Sequence, residues 1–382
     1  MRKRLLLFLI LTALGTAACS GSGQEEAPEP ASQAATEAPV PEESSSFRAA
    51  VFYYDYGDPY ISSVRTDLSR DLVDAGIPYT EYDSSSRQSI QNGQIDEALL
   101  AGADVLIVNL VSSGSSDAAD SICLKAQAAG VPVIFFNRAI EEDGAEGVLL
   151  DYYAHIAFVG TDPAEAGHLQ GDMIGRYLTE NYKAVDLNGD GQISYALFKG
   201  EAANVEAIYR TRYAVEDANA LLEEAGYPPL VYFDAKSVDG FQLDLTGKWS
   251  LSAAQDYMTT NLQYYNDDAG NMIELVICNN DNMAEGAIRA LETVGYNTGE
   301  EGAPFIPVFG VDATASARLL ISQGKMTGTV VQDASSMAAC IRDMAVNAEE
   351  GLPLTEGLSY PTDTEHGLPN RICIPYSVYA IE

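Results

Sequence analysis

Basic side chains are scarce in this chain: 21 Lys and Arg stand against 56 Asp and Glu over 382 residues, a formal net charge of −35. Such a surface repels phosphate backbones, which excludes nucleic-acid binding as a function class. Histidine is almost missing too. His155, His168 and His366 form no HxxxH or HExxH pair, and no GxSxG or Walker sequence occurs, so the common hydrolase and nucleotide-binding motifs are absent. Tryptophan occurs once, as Trp249, and none of the five cysteines stands in a CxxC spacing. Beyond Cys19 the thiols are Cys123, Cys278, Cys340 and Cys373. Three of these four lie in apolar runs and read as buried free thiols, with one disulfide left open in an oxidising compartment.

What is present begins with MRKRLLLFLILTALGTAAC, three basic residues and an apolar run that stops at small residues before Cys19. The run is too short for a membrane span and reads as a signal peptide over 1–18. A Cys directly after the small residues resembles a lipoprotein cleavage site, so Cys19 is expected to be acylated and to hold the protein on the membrane. Residues 20–46 carry almost no large apolar side chain and read, with Cys19, as an acidic disordered tether. Removal of Arg2, Lys3 and Arg4 with the signal takes the charge from −35 to −38. The folded body starts near Phe47, at about 335 residues long enough for two domains.

From there, strand-like runs alternate with helix-length amphipathic segments. RAAVFYYDY, ADVLIVNLV, PVIFFNRA and AHIAFVGTD are strand-like in the first half; ISYALFKGE, LVYFDAK, IELVICNND, IPVFGVD and MTGTVVQD follow in the second. The alternation implies βαβ units in two doubly wound parallel sheets, and ligands in that architecture bind beyond the carboxyl ends of strands. The polar residues there are Asp58, Asn137, Asn280, Asp281 and Asp312, with Glu206 and Arg210 opening a helix. Each alone reads as a cap or turn residue. Together they are donors and acceptors suited to a polyhydroxylated ligand. Tyr60 and Trp249 add aromatic faces for the C–H side of a pyranose; the polar flanks of Trp249 predict that it is more exposed than a core residue.

One stretch, DLNGDGQIS, has calcium-loop spacing: Asp186, Asn188 and Asp190 at positions 1, 3 and 5, Gly191 at 6, Gln192 at 7 and Ser194 at 9. Position 12, which calls for Glu, holds Leu197.

With these marks the chain resembles the periplasmic glucose/galactose-binding proteins of ABC importers. The similarity is carried by DLNGDGQI, PVIFFN, VGTD, LFKGE, VICNND, PVFGVDA and GTVVQDA in this order, and extends from about Phe47 to Val378. It implies the periplasmic binding protein type I fold: two α/β lobes, 47–160 plus 332–368 and 161–331 plus 369–382, joined by three hinge crossings. It implies a monosaccharide, D-galactose or D-glucose, held between Tyr60 and Trp249 and hydrogen-bonded by Asp58, Asn137, Asn204, Glu206, Arg210, Asn280, Asp312 and Gln332. Here Asn204 stands where the family carries His, Glu206 where it carries Asp, and Gln332 where it carries Asn. The resemblance also implies a structural Ca2+, with Glu274 as the distant closing ligand of the loop. The implied partners are an ABC permease and, in a sensory role, a chemoreceptor or sensor kinase; the protein would be a monomer outside the cytoplasm. A calcium-stabilised glycosidase is the enzymatic alternative, but Asp58, Glu206 and Asp312 each have a simpler role as hydroxyl acceptors. A repressor core of the same fold would need a basic helix-turn-helix where the signal and acidic tether stand.

Overall fold

The structure, a computed structural model, describes residues 46–145, 147–364 and 367–380. The signal segment, Cys19, nearly all of the tether and His366 lie outside the described residues.

The first half runs β1 (Ala49–Tyr53), α1 (Pro59–Asp74), β2 (Tyr79–Asp83), α2 (Gln88–Leu100), β3 (Val105–Val108), α3 (Ser116–Ala129), β4 (Val133–Phe136), α4 (Val148–Tyr152) and β5 (Ile156–Gly160). The second opens with α5 (Pro163–Val185), β6 (Ser194–Lys199), α6 (Val205–Glu224), β7 (Val231–Tyr232), β8 (Gln242–Leu243) and α7 (Leu251–Asn261). It continues through β9 (Leu275–Cys278), α8 (Asp281–Thr293), β10 (Val308–Asp312), α9 (Ala315–Ser322) and β11 (Gly328–Val331). The chain ends with α10 (Ala334–Glu349), β12 (Thr362–Asp363), β13 (Leu368–Cys373) and β14 (Ser377–Ala380).

Two sheets result. The first has the order β12-β13-β5-β4-β3-β1-β2 and the second β14-β11-β10-β9-β6-β7, with β8 also on β6. Both are parallel except at one edge, where β12 and β14 pair antiparallel. Continuous burial of β1, β3, β4, β5, β9 and β10 follows from helices on both faces. Alternate residues serve opposite cores: Val51 and Tyr53 pack under α1 and α10, Ala50 and Phe52 under α2 and α3.

Local signals set the helix starts that matter for the site. Pro59 and Pro163 occupy first-turn positions, preceded by caps Asp58 and Asp162, which accept from Ile61 and Ala164 N–H at 2.9 Å. Along α5, Gly167, Gly171 and Gly175 form a stripe where a Cβ would overlap α6. Their absence of side chains seats α6 directly against α5, which fixes where α6 presents Glu206 and Arg210.

The chain passes between the lobes at 161–162, 332–333 and 374–376. The third crossing lies later than the boundary expected at 368–369. β13 pairs parallel with β5 from Arg371 to Cys373 and so belongs to the first sheet; only β14 joins the second. The four cysteines among the described residues are free, Cys123, Cys278 and Cys340 buried and Cys373 half-buried.

Candidate functional site

Between the two sheets' carboxyl ends lies a cavity lined by Tyr54, Asp58, Tyr60, Ile61, Asn137, Arg138, Asn204, Glu206, Arg210, Trp249, Asn280, Asp312 and Gln332. All ten residues singled out as ligand contacts by the sequence are brought together here. Tyr54, Ile61 and Arg138 complete the wall. Arg138 follows Asn137 directly, so the rule that selected strand-end polar residues reaches it as well.

Helix starts hold much of the polar lining. Asp58 caps α1, Asn204 caps α6 through its Oδ1 to Ala207 N–H at 3.0 Å, and Asn280 caps α8 by accepting from Met283 N–H at 3.0 Å. A capping role and a cavity role coexist, because a cap's second heteroatom faces out of the helix end. Asp58 Oδ2 accepts from Tyr54 Oη at 2.6 Å, and Asn204 Nδ2 donates to Ser113 Oγ of the other lobe at 3.1 Å. Tyr60 turns its hydroxyl back toward Met337 Sδ at 3.6 Å.

Three lining residues have left-handed backbones: Asn137 at φ 61°, Trp249 at 54° and Asp312 at 117°. Such values are uncommon for Asn and Asp and a genuine outlier for Trp, and strain of this kind concentrates at functional sites. Trp249 departs from the exposure its polar flanks predict; it is 7% exposed. The indole lies against Gly200 at the exit of β6, where an added Cβ would overlap its ring.

Arg210 organises the centre. Its Nη1 donates to the Asn279 carbonyl at 2.9 Å and lies 3.9 Å from Asp312 Oδ1. Its Nη2 meets Glu206 Oε2 at 3.1 Å, Gln332 Oε1 at 3.2 Å and Tyr376 Oη at 2.9 Å. Burial opposes this charge, but Tyr376, Glu206 and Asp312 outweigh it and hold the pKa above its ordinary value. Burial pushes the carboxyls of Asp312 and, just behind it, Asp281 upward, the latter to about 7. Two donors that line the cavity, Arg210 Nε and Gln332 Nε2, are buried without a protein partner among the described residues.

The cavity is closed by bonds between lobes. Arg138 Nη2 pairs with Glu201 at 2.9 Å, Lys248 Nζ with Asp55 at 2.9 Å, and Tyr209 Oη donates to Asp143 at 2.7 Å.

The DLNGDGQIS loop sits in the second lobe, away from this cavity, between α5 and β6. Glu274, just ahead of β9, is fully buried beside it. Its Oε1 accepts from Leu187 and Asn188 N–H at 2.8 and 3.2 Å, and its Oε2 from Ser194 N–H at 3.1 Å. Within the loop, Gly191 N–H donates to Asp186 Oδ2 at 3.1 Å and Gln192 N–H to Asp190 Oδ1 at 2.9 Å. Asn188 Nδ2 donates to Asp190 Oδ2 at 3.1 Å, and Ser194 Oγ to the Met272 carbonyl. Among the described residues no cluster of three or more His, Cys, Asp or Glu converges as a ligand set. The remaining loop donors are amide, hydroxyl and backbone oxygens, the hard set that suits calcium. Asp186 Oδ1 is buried with no hydrogen-bond partner among the described residues.

Residues 49–353 match the family model described as a periplasmic binding protein domain. The chain is 35% identical over 332 residues to the D-galactose/methyl-galactoside binding periplasmic protein of Haemophilus influenzae, covering 86% of this chain and 88% of that protein. A solute binding protein of an ABC transporter from Bacillus halodurans, solved with bound myo-inositol, shares the fold at a TM-score of 0.64 and 24% identity, over 88% of this chain and 96% of that one. A Clostridium phytofermentans solute binding protein solved with β-D-glucose likewise aligns at a TM-score of 0.64 and 18% identity, over 87% and 94%. With the fold, the interlobe cavity and these similarities together, the chain belongs to the periplasmic binding protein family, and it is a solute-binding protein rather than an enzyme.

Proposed function

We propose that the interlobe cavity captures one pyranose, D-galactose or D-glucose, and that the loaded protein delivers it to an ABC permease. The observation that carries this reading is the pair of buried donors, Arg210 Nε and Gln332 Nε2, that no group among the described residues satisfies. A buried donor without an acceptor costs about 1–3 kcal/mol, and sugar hydroxyls relieve it. Asp58, Glu206 and Asp312 supply acceptors for hydroxyl protons, and Tyr60 and Trp249 supply ring faces. The similarity to a protein described as binding D-galactose and methyl-galactoside favours a hexose. In this reading acylated Cys19 anchors the protein outside the cytoplasm, the 20–46 segment is its tether, and the loop at 186–194 holds a structural calcium ion with Glu274.

The test is a titration of Trp249 emission, checked by calorimetry, with galactose, glucose, ribose, arabinose and myo-inositol. The expected result is saturation by galactose or glucose with a Kd on the order of micromolar. Silence toward both hexoses, with saturation by ribose or myo-inositol, reassigns the ligand; measurable hydrolysis of an aryl galactoside refutes a binding role.

A further inference from the structure

A second cavity lies beside the first and shares two of its wall residues, Asn137 from one lobe and Glu206 from the other. Six apolar residues, Ala139, Ile140, Leu150, Phe158, Pro163 and Val205, make up most of its wall. Four of them, Ile140, Leu150, Phe158 and Val205, are buried. Its volume is about 30 Å³, room for two or three water-sized groups at roughly 10–15 Å³ each.

Most polar groups on this wall are already engaged. Glu141 accepts from Gly147 N–H at 2.6 Å and from Leu149 N–H at 2.5 Å, at the start of α4. Thr161 Oγ1 spends its hydrogen on Glu206 Oε1 at 2.6 Å, and Glu206 Oε2 meets Arg210 at 3.1 Å. Arg371 is the exception. It is 8% exposed, and its Nη1 pairs with Asp363 Oδ2 at 3.1 Å, but its Nε is buried with no hydrogen-bond partner among the described residues.

These features select what can fill the space. Water needs two to four polar partners, which a mostly apolar wall with one unpartnered guanidinium donor supplies poorly. A carboxylate or phosphate would face Glu141 and Glu206, and an ammonium group would face Arg371, so a buried charge of either sign is opposed. The complementary group is neutral, mostly apolar, two or three heavy atoms in size, and carries one acceptor. An acetyl group meets each requirement.

We propose that this annex takes the acetyl group of an N-acetylated aminohexose whose pyranose ring occupies the main cavity. The substituent enters between Asn137 and Glu206, its methyl packs against Ile140, Leu150, Phe158 and Val205, and its carbonyl oxygen accepts from Arg371 Nε. The proposal rests on the pyranose-binding reading and narrows its substrate class. A hydrogen bond from a charged donor corresponds to about tenfold in affinity.

The experiment titrates the intact mature protein calorimetrically with galactose, glucose, N-acetylgalactosamine, N-acetylglucosamine and the two free amines, galactosamine and glucosamine. It is repeated with Ala139→Leu, which fills the annex, and with Arg371→Lys, which keeps a positive charge for Asp363 but lacks the Nε donor. The expected result is that one N-acetylated sugar binds about tenfold tighter than its parent hexose and that its free amine shows no such gain. Stopped-flow Trp249 emission should place the gain in slower release. Each variant should lose the preference and hold the parent hexose within about twofold of wild type. N-acetylated sugars that bind no tighter than their parents overturn the proposal and leave the pyranose reading standing. A preference that survives in both variants overturns it as well, because the acetyl group then lies elsewhere. An equal gain for the free amine also overturns it, since that marks attraction to the cavity carboxylates. If Arg371→Lys does not fold, Ala139→Leu decides by the same readouts. Binding of none of the six sugars overturns both readings.

Discussion

Substitution of Glu274 by Gln is the sharpest test of the proposed calcium site, because one buried carboxylate holds three backbone N–H groups of the 186–194 segment. Gln keeps the volume but presents one oxygen in place of two. At least one N–H group loses its acceptor, at a cost of about 1–3 kcal/mol without any metal. The folded body of about 335 residues unfolds with an entropy near 0.7 kcal/mol per degree, so this loss lowers Tm by roughly 1.5–4 °C in chelator. Calcium at a hundred times its Kd adds about 2.7 kcal/mol to the wild type, which raises Tm by about 4 °C on the same entropy. If Glu274 closes a calcium site as proposed, the variant should show almost none of that increment. Differential scanning calorimetry in chelator and in calcium, on both proteins, gives the four numbers required. Equal calcium increments in the two proteins would place any metal elsewhere, and no increment in the wild type would leave the loop as a hydrogen-bonded turn.

Gly200→Ala introduces a Cβ where the Trp249 ring lies, so galactose affinity should fall at least about tenfold, with a shifted emission maximum and an intact circular dichroism spectrum; unchanged affinity would show that the indole does not form the cavity wall. Burial raises Asp281 from an ordinary 3.8 to about 7, so the folded state holds that proton more tightly than the unfolded chain. Stability relative to Asp281→Asn should therefore fall as pH rises from about 4 to 7; parallel urea-unfolding curves across that range refute it. Arg138, buried against Glu201 and donating to the Leu110 and Val111 carbonyls, should matter more than the half-exposed Lys248–Asp55 pair. Arg138→Met should speed galactose release about tenfold or more, and Lys248→Met less than about twofold, by the same stopped-flow assay.

The site was legible in the sequence because parallel strands advertise themselves. VIFF, LVIC and VFGV are continuous apolar runs, and the polar residue that ends each is placed at the cleft by topology alone. Eight of the ten ligand candidates follow from strand ends, a helix start and two aromatic faces, Asn204 and Gln332 came from the family resemblance alone, and all ten meet in one cavity. Elements without such runs stayed hidden. β2, YTEYD, is a half-buried edge strand with Thr and Glu among its tyrosines, and β13, LPNRIC, carries Pro and Asn that interrupt its pattern. Missing β13 is what misplaced the third crossing. Trp249 was misjudged for another reason: its burial depends on a glycine 49 positions away in the chain, Gly200, and no local pattern carries that. Tyr376 was missed because its partners, Thr161, Glu206 and Arg210, come from other parts of the chain.

The threefold passage between lobes also constrains how the chain can fold during synthesis. α10 packs on α1 and β13 completes the first sheet beside β5, while β14 completes the second. Neither sheet therefore has its full set of strands until the last dozen or so described residues have emerged, although the first sheet begins at Ala49. Contacts spanning the whole chain make for slow folding and leave strand edges open meanwhile. A nascent chain moving out of a ribosome or through an export pore stays short of its native state until its end arrives, and removal of only the final strands would leave both lobes with an unpaired edge.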